Sequence, residues 1–214
     1  MKNYLIGLAG FVWWAMAVQV EAQTIQSISQ GISAHVYGQY ANWNSNSHFL
    51  SDISSEDPSG IGLGVELRYG FSSIISGYLS YGTVNFNKNK EWETYKSGMY
   101  RLGGQYNFGG TTAALRPYLN AGAVYQNFKL ARIFINDMGT TVVDNGELLS
   151  KGIAVEVGGG VKYHLIPEFV VELSVAGQFG KLGSNFVDGR EFDFQEKIDT
   201  QHLFVRLGIG YFIY

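Results

Sequence analysis

The sequence of 214 residues contains no cysteine, which excludes disulfides, thiol chemistry and lipidation at an N-terminal cysteine. Proline is scarce, at three residues. Charged side chains make up 15 % of the chain, the formal net charge is −3, and no basic stripe is present, so nucleic acid is not an expected partner. After Val18 no stretch approaches the roughly 20 consecutive apolar residues of a membrane-spanning helix. If the rest of the chain enters a membrane, it must do so as a closed barrel, the other structure that satisfies every backbone hydrogen bond in lipid.

The N-terminus reads as a secretory signal. Lys2 supplies a positive start, Leu5 to Val18 an apolar run, and Val20-Glu21-Ala22 the small residues that cleavage requires. A membrane helix is the alternative, but the run is short for a hydrocarbon core of about 30 Å and no positive stop follows it. The expected organisation is a removed signal at 1–22 and one domain at 23–214.

Glycine (28 residues) and aromatics (15 %) are abundant, and they fall in a period of two. In 60–71, Ile61, Leu63, Val65, Leu67, Tyr69 and Phe71 share one face. Gly60, Gly62, Gly64, Glu66, Arg68 and Gly70 share the other. Alternation of this kind marks a strand with one apolar side. A soluble barrel would turn a face rich in Lys, Glu and Thr to water. Glycine with a few charges instead suits a cramped polar lumen, with the apolar side turned to lipid.

Seven further segments repeat the pattern, near 31–43, 74–86, 98–108, 116–128, 151–164, 169–179 and 200–214. The connections alternate long (44–59), short (70–73), long (87–97), short (109–115), long (129–150), short (165–168) and long (180–199). Outer-membrane barrels distribute extracellular loops and periplasmic turns in this rhythm. The predicted fold is all-β: an eight-stranded antiparallel up-and-down transmembrane barrel, whose interior is just wide enough for side chains to fill. The connection 129–150 contains two strand-like stretches and reads as a hairpin beyond the membrane. A ten-stranded barrel is the alternative, although neither stretch supplies the roughly 9–11 residues of a full span.

Three segments resemble the small outer-membrane β-barrel superfamily, the outer-membrane protein A and X type that includes porin-family and opacity-type barrels. Arg116-Pro117-Tyr118-Leu119-Asn120-Ala121-Gly122 looks like the start of a mid-barrel strand, and Tyr100-Arg101-Leu102-Gly103-Gly104-Gln105-Tyr106 like the strand before it. Leu207-Gly208-Ile209-Gly210-Tyr211 resembles the terminal strand, which makes Tyr211, Phe212, Ile213 and Tyr214 the expected C-terminal assembly signal. In the family the last residue is usually a lipid-facing aromatic; here the alternation puts Ile213 on that face and Tyr214 one step beyond. The resemblance implies an outer membrane of a Gram-negative bacterium. Its implied partners are outer-membrane lipids and lipopolysaccharide, with periplasmic chaperones and the barrel-assembly machinery during biogenesis.

Seven charged residues fall on the expected lumen face: Glu66, Arg68, Arg101, Glu156, Lys162, Glu172 and Arg206. Buried charges are costly unless paired and hydrogen-bonded, so the mixed signs predict an internal network that plugs the barrel. The sharper alternative is a gate in which one carboxylate exchanges arginine partners. Arg101, Glu156 and Arg206 count to similar depths and are the candidates for it. Outward aromatics near strand ends (Tyr40, Tyr69, Phe71, Tyr106, Phe108, Tyr125, Tyr163 and Tyr211, with Trp43 close by) read as girdles at the membrane boundaries.

No cofactor or metal is expected. The acidic stretch 188–199 lacks ligands at EF-hand offsets, and Gly158-Gly159-Gly160 does not open a helix as a nucleotide fingerprint would. Barrel enzymes that act on lipid need a His beside a Ser or carboxylate at the outer rim, and none of His35, His48, His164 and His202 sits in their His-x-Ser arrangement. The expected function is an integral envelope protein with at most a small or gated pore. A surface adhesin or ligand-binding barrel acting through its loops is the alternative, and a lipid-modifying enzyme the third.

Overall fold

The structure, a computed structural model, describes residues 29–44, 59–87, 92–137, 140–192 and 198–213, with the backbone alone at 92–94, 132–137, 140–146 and 192. The expected signal at 1–22, His48 and most of its loop, and Tyr214 lie outside the described residues.

Among the described residues nine strands follow one another: β1 (Gly31–Asn44), β2 (Ser59–Gly70), β3 (Ile75–Phe86), β4 (Trp92–Asn107), β5 (Leu115–Asp137), β6 (Thr140–His164), β7 (Phe169–Val187), β8 (Arg190–Phe192) and β9 (Ile198–Ile213). From β1 to β7 each pairs antiparallel with its sequence neighbours. β9 then lies between β7 and β1 and closes the ring. β8 pairs with β7 at its outer end, so the closed barrel has eight staves. No helix among the described residues is long and apolar enough to cross a membrane; crossing falls to the strands.

The ten-stranded alternative fails on register. β5 and β6 stay paired from Leu115↔Tyr163 to Asp137↔Thr140, with one shift between Ala131 and Ile133. The segment 129–150 therefore lengthens two existing strands and adds none. At 23 and 25 residues they carry more than twice the about 9–11 residues of a span. Strand structure also reaches outward from the expected bounds in β4, which begins at Trp92, and in β7, which runs to Val187. The β7–β8 link is a two-residue hairpin turn. Asp188 (φ 49°) and Gly189 (φ 77°) both take positive φ, as the tight turn matching strand twist requires.

Alternation holds around the ring. Leu63, Leu67, Leu102, Ile153, Val157, Leu207 and their neighbours face outward and are exposed, while the opposite positions are buried or half-buried. Glycines on the inner face make room for large partners. Tyr37 lies in register with Gly64 of β2 and Gly208 of β9, and a Cβ on Gly64 would overlap the Tyr37 ring.

Candidate functional site

The lumen is filled in layers from the short-turn end outward. At the base, Arg116 is buried and acts as a clamp. It donates to Ser29 Oγ, to the Ser73 carbonyl of the β2–β3 turn (2.6 Å) and to the Gly109 carbonyl of the β4–β5 turn (3.2 Å). Three separate segments are thereby tied to one guanidinium. Phe212 packs between His35 and His164, with ring centroids 6.3 and 6.0 Å away. Phe212 thus points inward, and the lipid-facing residues of the terminal segment are Tyr211 and Ile213.

Above this base sits a first ion cluster. Arg68 on β2 donates to Glu66 on the same face and to both oxygens of Glu172 on β7, at 3.1 and 3.3 Å. The Tyr118 hydroxyl donates to Glu172. Lys162 joins through a neutral partner: its ammonium donates to Asn107 Oδ1 at 3.1 Å and lies 5.1 Å from the Tyr118 ring centre. The expected network thus includes Lys162, which among the described residues has no direct ion pair to a carboxylate and is held by Asn107.

A second cluster centres on Glu156 of β6. Arg206 of β9 makes a bidentate fork to it (2.8 and 2.5 Å), and Arg101 of β4 adds a third bond from Nε at 3.0 Å. Arg101 spends its remaining donors on Tyr37 Oη (3.2 Å), Gln39 Oε1 (3.5 Å) and Met99 Sδ (3.2 Å). Arg101 and Glu156 are each only 1 % exposed. The three residues counted to similar depth do meet, and Glu156 holds both arginines at once. Between the clusters lies a partly enclosed cavity of about 30 Å³, lined by Glu66, Tyr78, Asn120 and Arg206 among others. That volume suits roughly two waters.

Further out, the lumen changes character. Gln178 donates to Gln126 (2.7 Å), which donates to Thr200 (2.8 Å). Beyond them Trp43, Phe86, Tyr95, Phe128, Leu130, Leu148, Leu182 and Ile198 form a buried apolar cluster with Val84, Met99 and Phe204. Trp43 packs 4.8 Å from Phe128 and stacks on His202 at 5.9 Å, and His202 stacks on Phe204 at 5.5 Å. Arg101 and Arg206 lie 5.1 and 4.9 Å from the Phe204 ring centre, joining the second ion cluster to the aromatic plug without a break.

The plug corrects two expectations. The lumen is not polar throughout, and Trp43 is not a boundary aromatic: it is 1 % exposed because its odd position on β1 shares the inward parity of Tyr37 and Gln39. Tyr40, Tyr69, Phe71, Tyr106, Phe108, Tyr125, Tyr163 and Tyr211 all face outward and are exposed. They fall in two tiers. Tyr81 and Tyr100, also exposed, complete the outer tier: Tyr81, Tyr100 and Tyr125 are in register across β3, β4 and β5. The plug was missed because its residues fall in segments that sequence alone assigns to loops or strand ends.

On this closed eight-stranded barrel, apolar outside and salt-bridged inside, residues 9–199 match the membrane domain of OprF. The chain belongs to the OprF membrane domain family. It is an integral β-barrel protein of the Gram-negative outer membrane. Among solved structures this OprF-family barrel is similar to Neisserial surface protein A (TM-score 0.56, 16 % identity, covering 86 % of this chain and 98 % of that one). It is also similar to Ail, the attachment invasion locus protein of Yersinia pestis (TM-score 0.51, 16 % identity, 85 % and 98 %), and to OprG from Pseudomonas aeruginosa (TM-score 0.50, 16 % identity, 89 % and 99 %). At such identities the likeness is one of fold. No curated protein matches the chain in sequence.

Proposed function

We propose that the chain is a structural barrel of the outer membrane, closed to ions at rest by two stacked seals: the Glu156 ion cluster and the aromatic plug above it. The observation that carries this is the contact between them. Phe204 packs against both arginines that hold Glu156 and stacks on His202, which stacks on Trp43. A charge rearrangement at Glu156 alone opens no path, because the dry layer above it still excludes water. In planar bilayers the wild type and Glu156→Ala both give no steady conductance, whereas Trp43→Ala combined with Phe128→Ala raises it. A wild type with long-lived openings would sink this reading, as would a Glu156→Ala barrel that conducts.

Catalysis is not part of the proposal. Ser33, His35 and Glu172 do line up, with Ser33 Oγ 3.0 Å from His35 Nε2 and His35 Nδ1 3.8 Å from Glu172. Ser33 is buried, Glu172 is engaged by Arg68, and the neighbouring cavity of about 30 Å³ is too small for an acyl chain. A second reading, recognition at the cell surface, is favoured by the long β5–β6 hairpin, whose strands continue far past a membrane span. Shortening that hairpin and assaying cell binding separates it from a purely structural role. Cleavage after Ala22 and delivery by the assembly machinery through Tyr211 to Tyr214 complete the proposal; N-terminal sequencing of the exported protein tests the first.

A further inference from the structure

The outward face just above the outer aromatic tier is chemically lopsided. On β4 to β7 it carries Lys96, Lys129, Lys151 and Lys181, one per strand. On β1, β2 and β3 the corresponding outward positions are Asn42, Asn44, Ser59, Thr83 and Asn85, all uncharged, while β9 carries Gln201 and the acidic Asp199, which is in register with Lys181. The lysines are also neighbours. Lys96 and Lys129 are directly opposed in the β4–β5 register. Lys151 opposes Asn127, two positions from Lys129, and Lys181 opposes Ile153, two positions from Lys151. Same-face Cβ atoms at such positions lie about 5 Å (opposed) to 7–8 Å (diagonal) apart, and like charges directly opposed are destabilising.

Carboxylates answer only half of the row. Lys129 pairs with Glu147 at 2.6 Å and Lys181 with Asp199 at 3.3 Å. Lys96 and Lys151 have no ion pair among the described residues; Lys151 instead lies 4.8 Å from the Phe186 ring centre. Immediately below, on the lipid side, a groove of about 950 Å³ runs between Ala123, Tyr125, Ile153, Val155 and Phe179, with Lys151 and Lys181 at its rim. A cationic row that carboxylates only half compensate, above an apolar groove at the boundary between water and lipid, complements a molecule with phosphates at one end and acyl chains at the other.

We propose that the β4–β7 face is a binding site for the phosphorylated glycolipid of the outer leaflet, lipopolysaccharide. Its phosphates are held by Lys96 and Lys151 and flanked by Lys129 and Lys181, while its acyl chains lie in the groove beneath. This rests on the outer-membrane placement of the barrel but not on its being closed to ions, so the bilayer experiment can fail without touching it. Lys96→Gln with Lys151→Gln removes two basic residues from a charged membrane surface and should therefore weaken binding by roughly thirtyfold.

The test is native mass spectrometry of the full exported chain in phosphocholine micelles, titrated with rough lipopolysaccharide. A heat-modifiable gel shift verifies that each variant is folded. The wild type and Lys96→Arg with Lys151→Arg should bind alike, and the Gln pair roughly thirtyfold more weakly. Dephosphorylated lipopolysaccharide should bind the wild type as weakly as intact lipopolysaccharide binds the Gln pair. Equal binding by the Gln pair overturns the site, and so does undiminished binding of the dephosphorylated lipid. Displacement by a few millimolar inorganic phosphate would overturn the lipid in favour of a free anion.

Discussion

Two lengths of the same strand, β5, show how the barrel is organised. Near its base Leu119, Ala121, Ala123 and Tyr125 point outward, and Tyr118, Asn120 and Gln126 point inward. A few residues further out, Asn127 and Lys129 point outward, and Phe128 and Leu130 inward. The pleat and its parity are unchanged; the chemistry of the two faces has traded places. β7 does the same between Gln178–Phe179 and Lys181–Leu182, and β1 between Val36–Tyr37 and Asn42–Trp43. In the lower band the outer solvent is lipid, so apolar side chains go out and paired charges fill the small interior. In the upper band the outer solvent is water, and the same staves fold like a soluble barrel around an apolar core. The switch of solvent, and not any break in secondary structure, divides the molecule.

The comparison breaks most severely at Glu156. Its removal in Glu156→Ala leaves Arg101 and Arg206 facing one another, desolvated and without their carboxylate. Breaking a buried pair in this way costs about 3–5 kcal/mol. Urea titration of the folded barrel in lipid vesicles, scored by the heat-modifiable gel shift, should register a loss of about 4 kcal/mol. A loss below about 1 kcal/mol, the range of exposed pairs, would mean that water reaches the cluster freely.

The upper band should depend on packing in the manner of a soluble core. Trp43→Ala empties the space among Phe86, Tyr95, Phe128 and His202 and should cost about 3 kcal/mol in the same titration. A near-neutral result would show the plug to be loosely packed. On the outside, the lower band should reject what the upper band carries routinely. Val65→Lys places an ammonium on the lipid face and should cost about 2 kcal/mol near the bilayer centre. Gln201→Lys, above the lipid, should be within about 0.5 kcal/mol of the wild type, as surface substitutions usually are. Equal costs for the two would remove the boundary drawn between the bands.

Most of the lower band was legible in the sequence. Ile61 to Phe71 announce their outward face by alternation alone, and the long–short rhythm of connections counts the staves. The meeting of Arg101, Glu156 and Arg206 followed from counting residues from the short turns, because a regular strand converts sequence distance into depth. The upper band was harder to see. Trp43, Phe86 and Leu182 keep the parity of the lumen, but once both faces exchange polarity an inward apolar residue reads like the end of a lipid-facing stripe. Asp188-Gly189 carried a hairpin signal that a charged stretch concealed. Arg116 was visible only as part of a motif; its three acceptors come from turns and a terminus far apart in sequence.

The smallest effect tests the outer surface of the upper band. Lys129 and Glu147 pair at 2.6 Å, with side chains 42 % and 44 % exposed. Water and salt screen such a pair, and each side chain loses rotamer freedom in forming it. A double-mutant cycle of Lys129→Ala and Glu147→Ala should therefore return a coupling of about 0.2–1 kcal/mol, shrinking further as salt is raised. The Glu156 cluster, made of similar atoms at similar distances, should keep its coupling as salt is raised. A Lys129–Glu147 coupling above about 2 kcal/mol, or one indifferent to salt, would place this pair in a low-dielectric setting and move the lipid boundary outward past Lys129.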